Sequence, residues 1–81
     1  MQVTAYITDW CSDSSRSLRL LESTGLSFEV IDIEEVSGAE DAMKLLNGGS
    51  GKVPTILIDN DGSRRVLVEP SDSDLKRALG L

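Results

Sequence analysis

The sequence predicts an α/β fold in which helices cover a four-stranded mixed sheet. Two observations carry that expectation. Stretches with strand-like patterning (2–8, 26–35, 53–59, 63–69) are interleaved with capped, helically periodic stretches (12–25, 38–49, 70–81), giving the order β-α-β-α-β-β-α. The last two strands are separated only by Asn60-Asp61-Gly62, a hairpin signal, whereas a helix separates the first two. The hairpin pair is therefore antiparallel, and the first pair is expected to be parallel with a right-handed crossover. With 81 residues there is room for one core, so a single domain over 1–81 is expected.

Each element has a local reason. Residues 2–8 (QVTAYIT) alternate, placing Val3, Ala5 and Ile7 on one face and Thr4 and Tyr6 on the other, and the strand stops at Asp9-Trp10. In 12–25 (SDSSRSLRLLESTG), Ser12, Asp13 and Ser14 all suit a helix N-cap or first turn. Leu18, Leu20 and Leu21 form an apolar stripe, and Gly25 suits the left-handed residue that ends a helix. In 26–35 (LSFEVIDIEE), Phe28, Val30, Ile31 and Ile33 are too apolar for an exposed edge alone. The next helix, 38–49, has Ser37 as cap and Glu40 three residues on, a capping-box pattern; Asn47-Gly48-Gly49 ends it and, with Gly51, reads as a flexible loop. Residues 53–59 (VPTILID) and 63–69 (SRRVLVE) flank the hairpin turn. The last helix, 70–81, is capped by Ser71, with Asp72 and Asp74 early and Lys76 and Arg77 late, as the helix dipole favours. No internal repeat, linker or low-complexity tract interrupts this order.

Composition excludes several functions. Acidic residues outnumber basic ones 14 to 8, a net charge of -6, so neither duplex nucleic acid nor an anionic membrane is an expected partner. MQVTAYITDW lacks the basic region and apolar length of a secretory leader, and no stretch reaches the apolar length of a membrane helix. The single cysteine permits no internal disulfide, which fits a cytoplasmic protein. Without histidine, Ser-His-Asp and Cys-His catalysis are excluded, and one cysteine makes no zinc site; no metal is expected. Residues 48–52 (GGSGK) lack phosphate-loop spacing and precede a strand, not a helix.

Chemistry therefore converges on Cys11, at the junction of the first strand and first helix. Unpaired amides and the helix dipole favour a thiolate there, and Ser14, three residues on, could turn its hydroxyl or amide toward the sulfur. Asp13 and Asp9 oppose the anion and Arg16 partly offsets them. The other reading of Cys11 is an inert buried thiol; the junction position favours the reactive one. Trp10 either shields the thiol and meets a partner or simply covers a small core. Pro54, on residue type alone, is an ordinary trans proline opening a strand. Lys52 is either a solvated lysine or a cation for a ligand carboxylate.

Three features stand in a telling order: WCSDS (10–14) at the first strand–helix junction, VPT (53–55) opening the third strand, and EPSDSDL (69–75) opening the last helix. Together with LNGGSGKVPTILIDNDGSRRVLVEPSDSDL, they resemble the glutaredoxins, a minimal thioredoxin fold. Within these the resemblance is to the mycoredoxin-like proteins, which show N-G-G, V-P-T, D-G and E-P-S in succession. The resemblance covers nearly the whole chain. It implies a thioredoxin-like fold, a cis Val53–Pro54 bond with the Val53 backbone turned toward a thiol ligand, and a thiol-binding surface of Trp10, Lys52, Val53, Pro54, Ser71 and Asp72. In that scheme the Ser71 and Asp72 amides and the Asp72 carboxylate hold the glutamyl end of glutathione. The departure is the motif itself: Cys11-Ser12-Asp13-Ser14 is neither C-x-x-C nor C-G-F-S. It keeps the nucleophile and lacks a resolving thiol.

The resemblance thus implies an oxidoreductase with no tightly bound cofactor and with glutathione or mycothiol as co-substrate; the absence of a large apolar surface stretch in the sequence points to a monomer. Cys11 and Ser14 would reduce mixed disulfides between proteins and a low-molecular-weight thiol by a monothiol route. Two alternatives stay open: a thioredoxin-fold binding module whose catalysis has decayed beside Asp13, and iron–sulfur cluster binding through Cys11 and an external thiol.

Overall fold

The computed structural model describes all 81 residues, Met1–Leu81. Its elements are β1 (Gln2–Ile7), α1 (Ser12–Thr24), β2 (Glu29–Asp32), α2 (Ala39–Asn47), β3 (Thr55–Asn60), β4 (Ser63–Val68) and α3 (Asp72–Ala78), in the expected order. The four strands form one mixed sheet, β2-β1-β3-β4. β1 runs parallel to β2, with Ala5 opposite Val30, and antiparallel to β3, with Ala5 opposite Ile56. β3 and β4 form the predicted hairpin, closed by Asp61 (φ 52°) and Gly62 (φ 86°). Both turn residues are left-handed, the conformation a tight two-residue hairpin requires.

The alternation of β1 divides the core as the sequence indicates. Val3, Ala5 and Ile7 join Ile56 and Ile58 on one face, where Leu21 of α1 and Leu75 and Leu79 at α3 pack. Tyr6 faces the other way and meets Met43 of α2 and Val53, with Cys11, Ile31, Ile33 and Leu46 around them. The thiol thus lies at the margin of the smaller apolar cluster. Its position follows from the chain turning out of β1 directly into α1.

Three local expectations are corrected. β2 is a four-residue edge strand, and Val30 is 46% exposed. The apolar residues near it are partly spent at its ends, Phe28 against the larger cluster and Ile31 and Ile33 against the smaller. The capping box at Ser37 and Glu40 does not form: α2 starts from Gly38 (φ 79°) with no side-chain cap, and Glu40 pairs with Lys44 at 3.8 Å. The turn into α2 explains this. The Glu35 and Val36 amides both donate to the Asp32 carbonyl, and the chain then needs a left-handed residue, which glycine supplies without a Cβ penalty. Finally, the loop after α2 is built rather than loose. Asn47 Nδ2 donates to Thr55 Oγ1 (3.0 Å), Asn47 Oδ1 accepts from the Ser50 amide (2.9 Å), and Ser50 Oγ accepts from the Lys52 amide (3.1 Å). Thr55 is fully buried and its hydroxyl donates on to the Lys52 carbonyl at 3.0 Å. The residues leading to Val53 are thereby fixed to both α2 and β3.

Candidate functional site

Cys11 is the N-cap of α1, in extended backbone (φ -86°, ψ 122°). None of Ser12, Asp13 and Ser14 takes the cap; they form the first turn. Their amides donate to no group in the chain, since the first helical bond runs from the Ser15 amide to the Cys11 carbonyl at 3.1 Å. The Cys11 side chain makes no cap bond to them, so α1 opens with three free N–H groups and its positive end at the residue that carries the sulfur, an arrangement that favours an anion. The thiol is partly buried, and Sγ donates to the Val53 carbonyl at 3.8 Å, 42 residues away in sequence.

Val53 and Pro54 form the facing wall. Their peptide bond is cis. The Val53 amide makes no bond within the chain, and the Pro54 carbonyl accepts from the Glu69 amide at 2.8 Å. Glu69 is left-handed (φ 48°), which turns the chain from β4 to the buried Pro70 and the start of α3. There Ser71 caps the helix, its Oγ accepting from the Asp74 amide at 3.1 Å. Cys11 lines neither of the two recesses in the molecular surface.

The remaining expected residues are placed differently from one another. Ser14 is 1% exposed, and its hydroxyl has no hydrogen-bond partner, so the expected bond to the sulfur is not made. Thr8 and Ser17 are buried with equally unpartnered hydroxyls. Trp10 is 70% exposed, which rules out a core-covering role; its indole N–H donates to Glu34 Oε1 at 2.9 Å. Lys52 is exposed and has no ion-pair partner. Asp72 is not free: its Oδ1 lies 3.4 Å from Arg16 Nε. The same guanidinium donates to Asp13 Oδ1 (3.0 Å) and to the Pro70 carbonyl (3.1 Å). Reading the sequence missed this role of Arg16 as a link between α1 and α3, and it missed Glu34 and Asn47. Arg16 at i+3 from Asp13 was the one local signal available.

The comparisons agree with this geometry. Residues 3–62 match the glutaredoxin family model. The chain belongs to the glutaredoxin family. A candidate glutaredoxin of Mycobacterium tuberculosis, Rv3198A, is 32% identical over 77 residues, covering 95% of this chain and 88% of that protein. Among solved structures, glutaredoxin grx-1 of Archaeoglobus fulgidus superposes with a TM-score of 0.75 at 26% identity, covering 95% of this chain and 84% of its own. The glutaredoxin-like NrdH-redoxin of Escherichia coli also gives 0.75, at 25% identity, covering 95% of this chain and 93% of its own. The role of this glutaredoxin is thus of the thiol oxidoreductase type. No helix in it is long and apolar enough to cross a membrane.

Proposed function

We propose that this glutaredoxin reduces mixed disulfides between proteins and a low-molecular-weight thiol, working through Cys11 alone. The Cys11 thiolate attacks the sulfur of the small thiol. The S–S bond of the mixed disulfide breaks, the protein leaves as a thiolate that takes a proton, and Cys11 carries the small thiol as a new disulfide. A second molecule of small thiol then attacks that adduct, releasing the symmetrical small-molecule disulfide and the Cys11 thiolate. Two electrons pass from solution thiol to the protein substrate, and no resolving cysteine enters. Glutathione and mycothiol are the co-substrates that fit this scheme, with no tightly bound cofactor.

The observation carrying the reading is the sulfur on the α1 N-cap residue, 3.8 Å from the Val53 carbonyl, at the start of a helix whose three first-turn amides are free. The unpaired Val53 amide gives an extended thiol ligand a backbone donor on the opposite wall. Pro54 shapes that wall, and exposed Lys52 and Trp10 and the Ser71–Asp72 turn are the side groups within which a ligand would be held. The rival reading, a binding module with decayed catalysis, rested on Asp13, and the Asp13–Arg16 ion pair at 3.0 Å weakens it.

Cys11→Ser tests the proposal. With a small mixed disulfide, added thiol and its reductase, the variant should lose turnover. Turnover undiminished relative to the parent would end the claim. In the parent, iodoacetamide should alkylate Cys11 faster than it alkylates free cysteine at about pH 7. A rate no greater than that of free cysteine would favour the binding module.

A further inference from the structure

Asp13 is the member of the Cys11-Ser12-Asp13-Ser14 run that works against an attacking thiolate, and its carboxylate is engaged. Arg16 Nη1 donates to Asp13 Oδ1 at 3.0 Å, Nη2 donates to the Pro70 carbonyl at 3.1 Å, and Nε lies 3.4 Å from Asp72 Oδ1. Nε is buried and makes no hydrogen bond, so its contact with Asp72 is ionic only. An ordinary surface ion pair gains little, because two flexible side chains must be ordered to form it. Here the guanidinium is already oriented by two groups outside α1, and only the short Asp13 side chain remains to be fixed.

We infer that Arg16 is a positioning residue for Cys11. Tethered to the start of α3, it neutralises Asp13 and keeps the first turn of α1 suited to a thiolate. The inference rests on reading Cys11 as the attacking sulfur. Asp13 is two residues from Cys11, in the first turn of the helix that Cys11 caps, and charges act over roughly 8 Å at physiological salt. Unmasking one negative charge there should slow attack by the anionic sulfur by about three- to tenfold. Tyr6 shares the apolar cluster with Cys11, Asp9 and Lys52 lie in the chain segments on either side of the sulfur, Glu34 holds the Trp10 indole and Asp72 pairs with Arg16; the variants below leave all five in place.

The test is the second-order rate of iodoacetamide alkylation at Cys11, followed by mass spectrometry at pH 7 and low salt. Arg16→Ala should react about three- to tenfold more slowly than the parent. Asp13→Asn in the Arg16→Ala background should restore the rate to within about twofold of the parent, which loss of packing alone could not do. High salt should narrow the gap between Arg16→Ala and the parent. A parental rate in Arg16→Ala, or a double variant as slow as Arg16→Ala, overturns the inference. Should Arg16→Ala fail to fold by circular dichroism, Asp13→Asn carries the test: it must react faster than the parent, and an unchanged rate overturns the inference equally. Alkylation requires no disulfide turnover. A protein inactive on mixed disulfides that still shows these rate changes would sink the proposed function and leave this inference standing.

Discussion

Ser17→Ala should make this protein more stable. Ser17 is 0% exposed in α1, and its hydroxyl has no hydrogen-bond partner. Leaving a buried hydroxyl unpaired costs about 1–3 kcal/mol, which alanine relieves. Alanine is also the better helix residue by roughly 0.5 kcal/mol. Against this stands the loss of one oxygen's dispersion contacts, at about 0.1–0.2 kcal/mol for each neighbouring atom. The balance favours the variant by about 1–2 kcal/mol. For a domain of this size each kcal/mol moves the melting temperature by about 4–8 °C. Thermal melts by circular dichroism should show a rise of at least that much, and urea titration should move the midpoint without altering the slope. A Ser17→Ala protein melting at or below the parent's temperature would mean the hydroxyl is satisfied and the reasoning wrong. Ser14→Ala sharpens the point. Ser14 is as buried and as unpartnered, so the same gain is expected, but it stands three residues from Cys11. If its hydroxyl serves the sulfur during exchange, Ser14→Ala gains stability and loses turnover, whereas Ser17→Ala gains stability alone.

Further outcomes follow from the site's supports. Asn47→Ala removes the donor to Thr55 Oγ1 and the acceptor of the Ser50 amide, so stability should fall by about 1–3 kcal/mol in denaturant titration, and KM for the thiol substrate should rise as Lys52 and Val53 loosen. Ser14→Cys places a second thiol one helical turn from Cys11; mild oxidation should then give a monomer lighter by two hydrogens in mass spectrometry, and no such loss would count against the opening geometry of α1.

What the sequence made legible was what neighbours along the chain decide. Alternation in β1 sorted Val3, Ala5 and Ile7 from Tyr6, and Asp61-Gly62 specified its own turn, because both effects act within a few residues. The Ser71 cap was legible for the same reason. Ser37 and Glu40 fitted a capping pattern just as well, yet the turn held by the Asp32 carbonyl brought Gly38 to the helix start instead. Strand order depends on what packs beside what, so the apolar content of 26–35 could not reveal that β2 is an edge. In the site, Cys11, Pro54 and their neighbours were legible as residue types in order. The contact of Arg16 with the Pro70 carbonyl spans 54 residues, and that of Trp10 with Glu34 spans 24; no local periodicity encodes either.

Trp10 is the chain's one tryptophan, adjacent in sequence to its one cysteine, with its ring in solvent and its N–H held by a carboxylate. The molecule therefore carries its own optical probe. A group covalently attached at position 11 sits one residue from the indole, so each half of an exchange cycle should be readable in real time by tryptophan emission excited beyond the absorption of Tyr6, with no added dye.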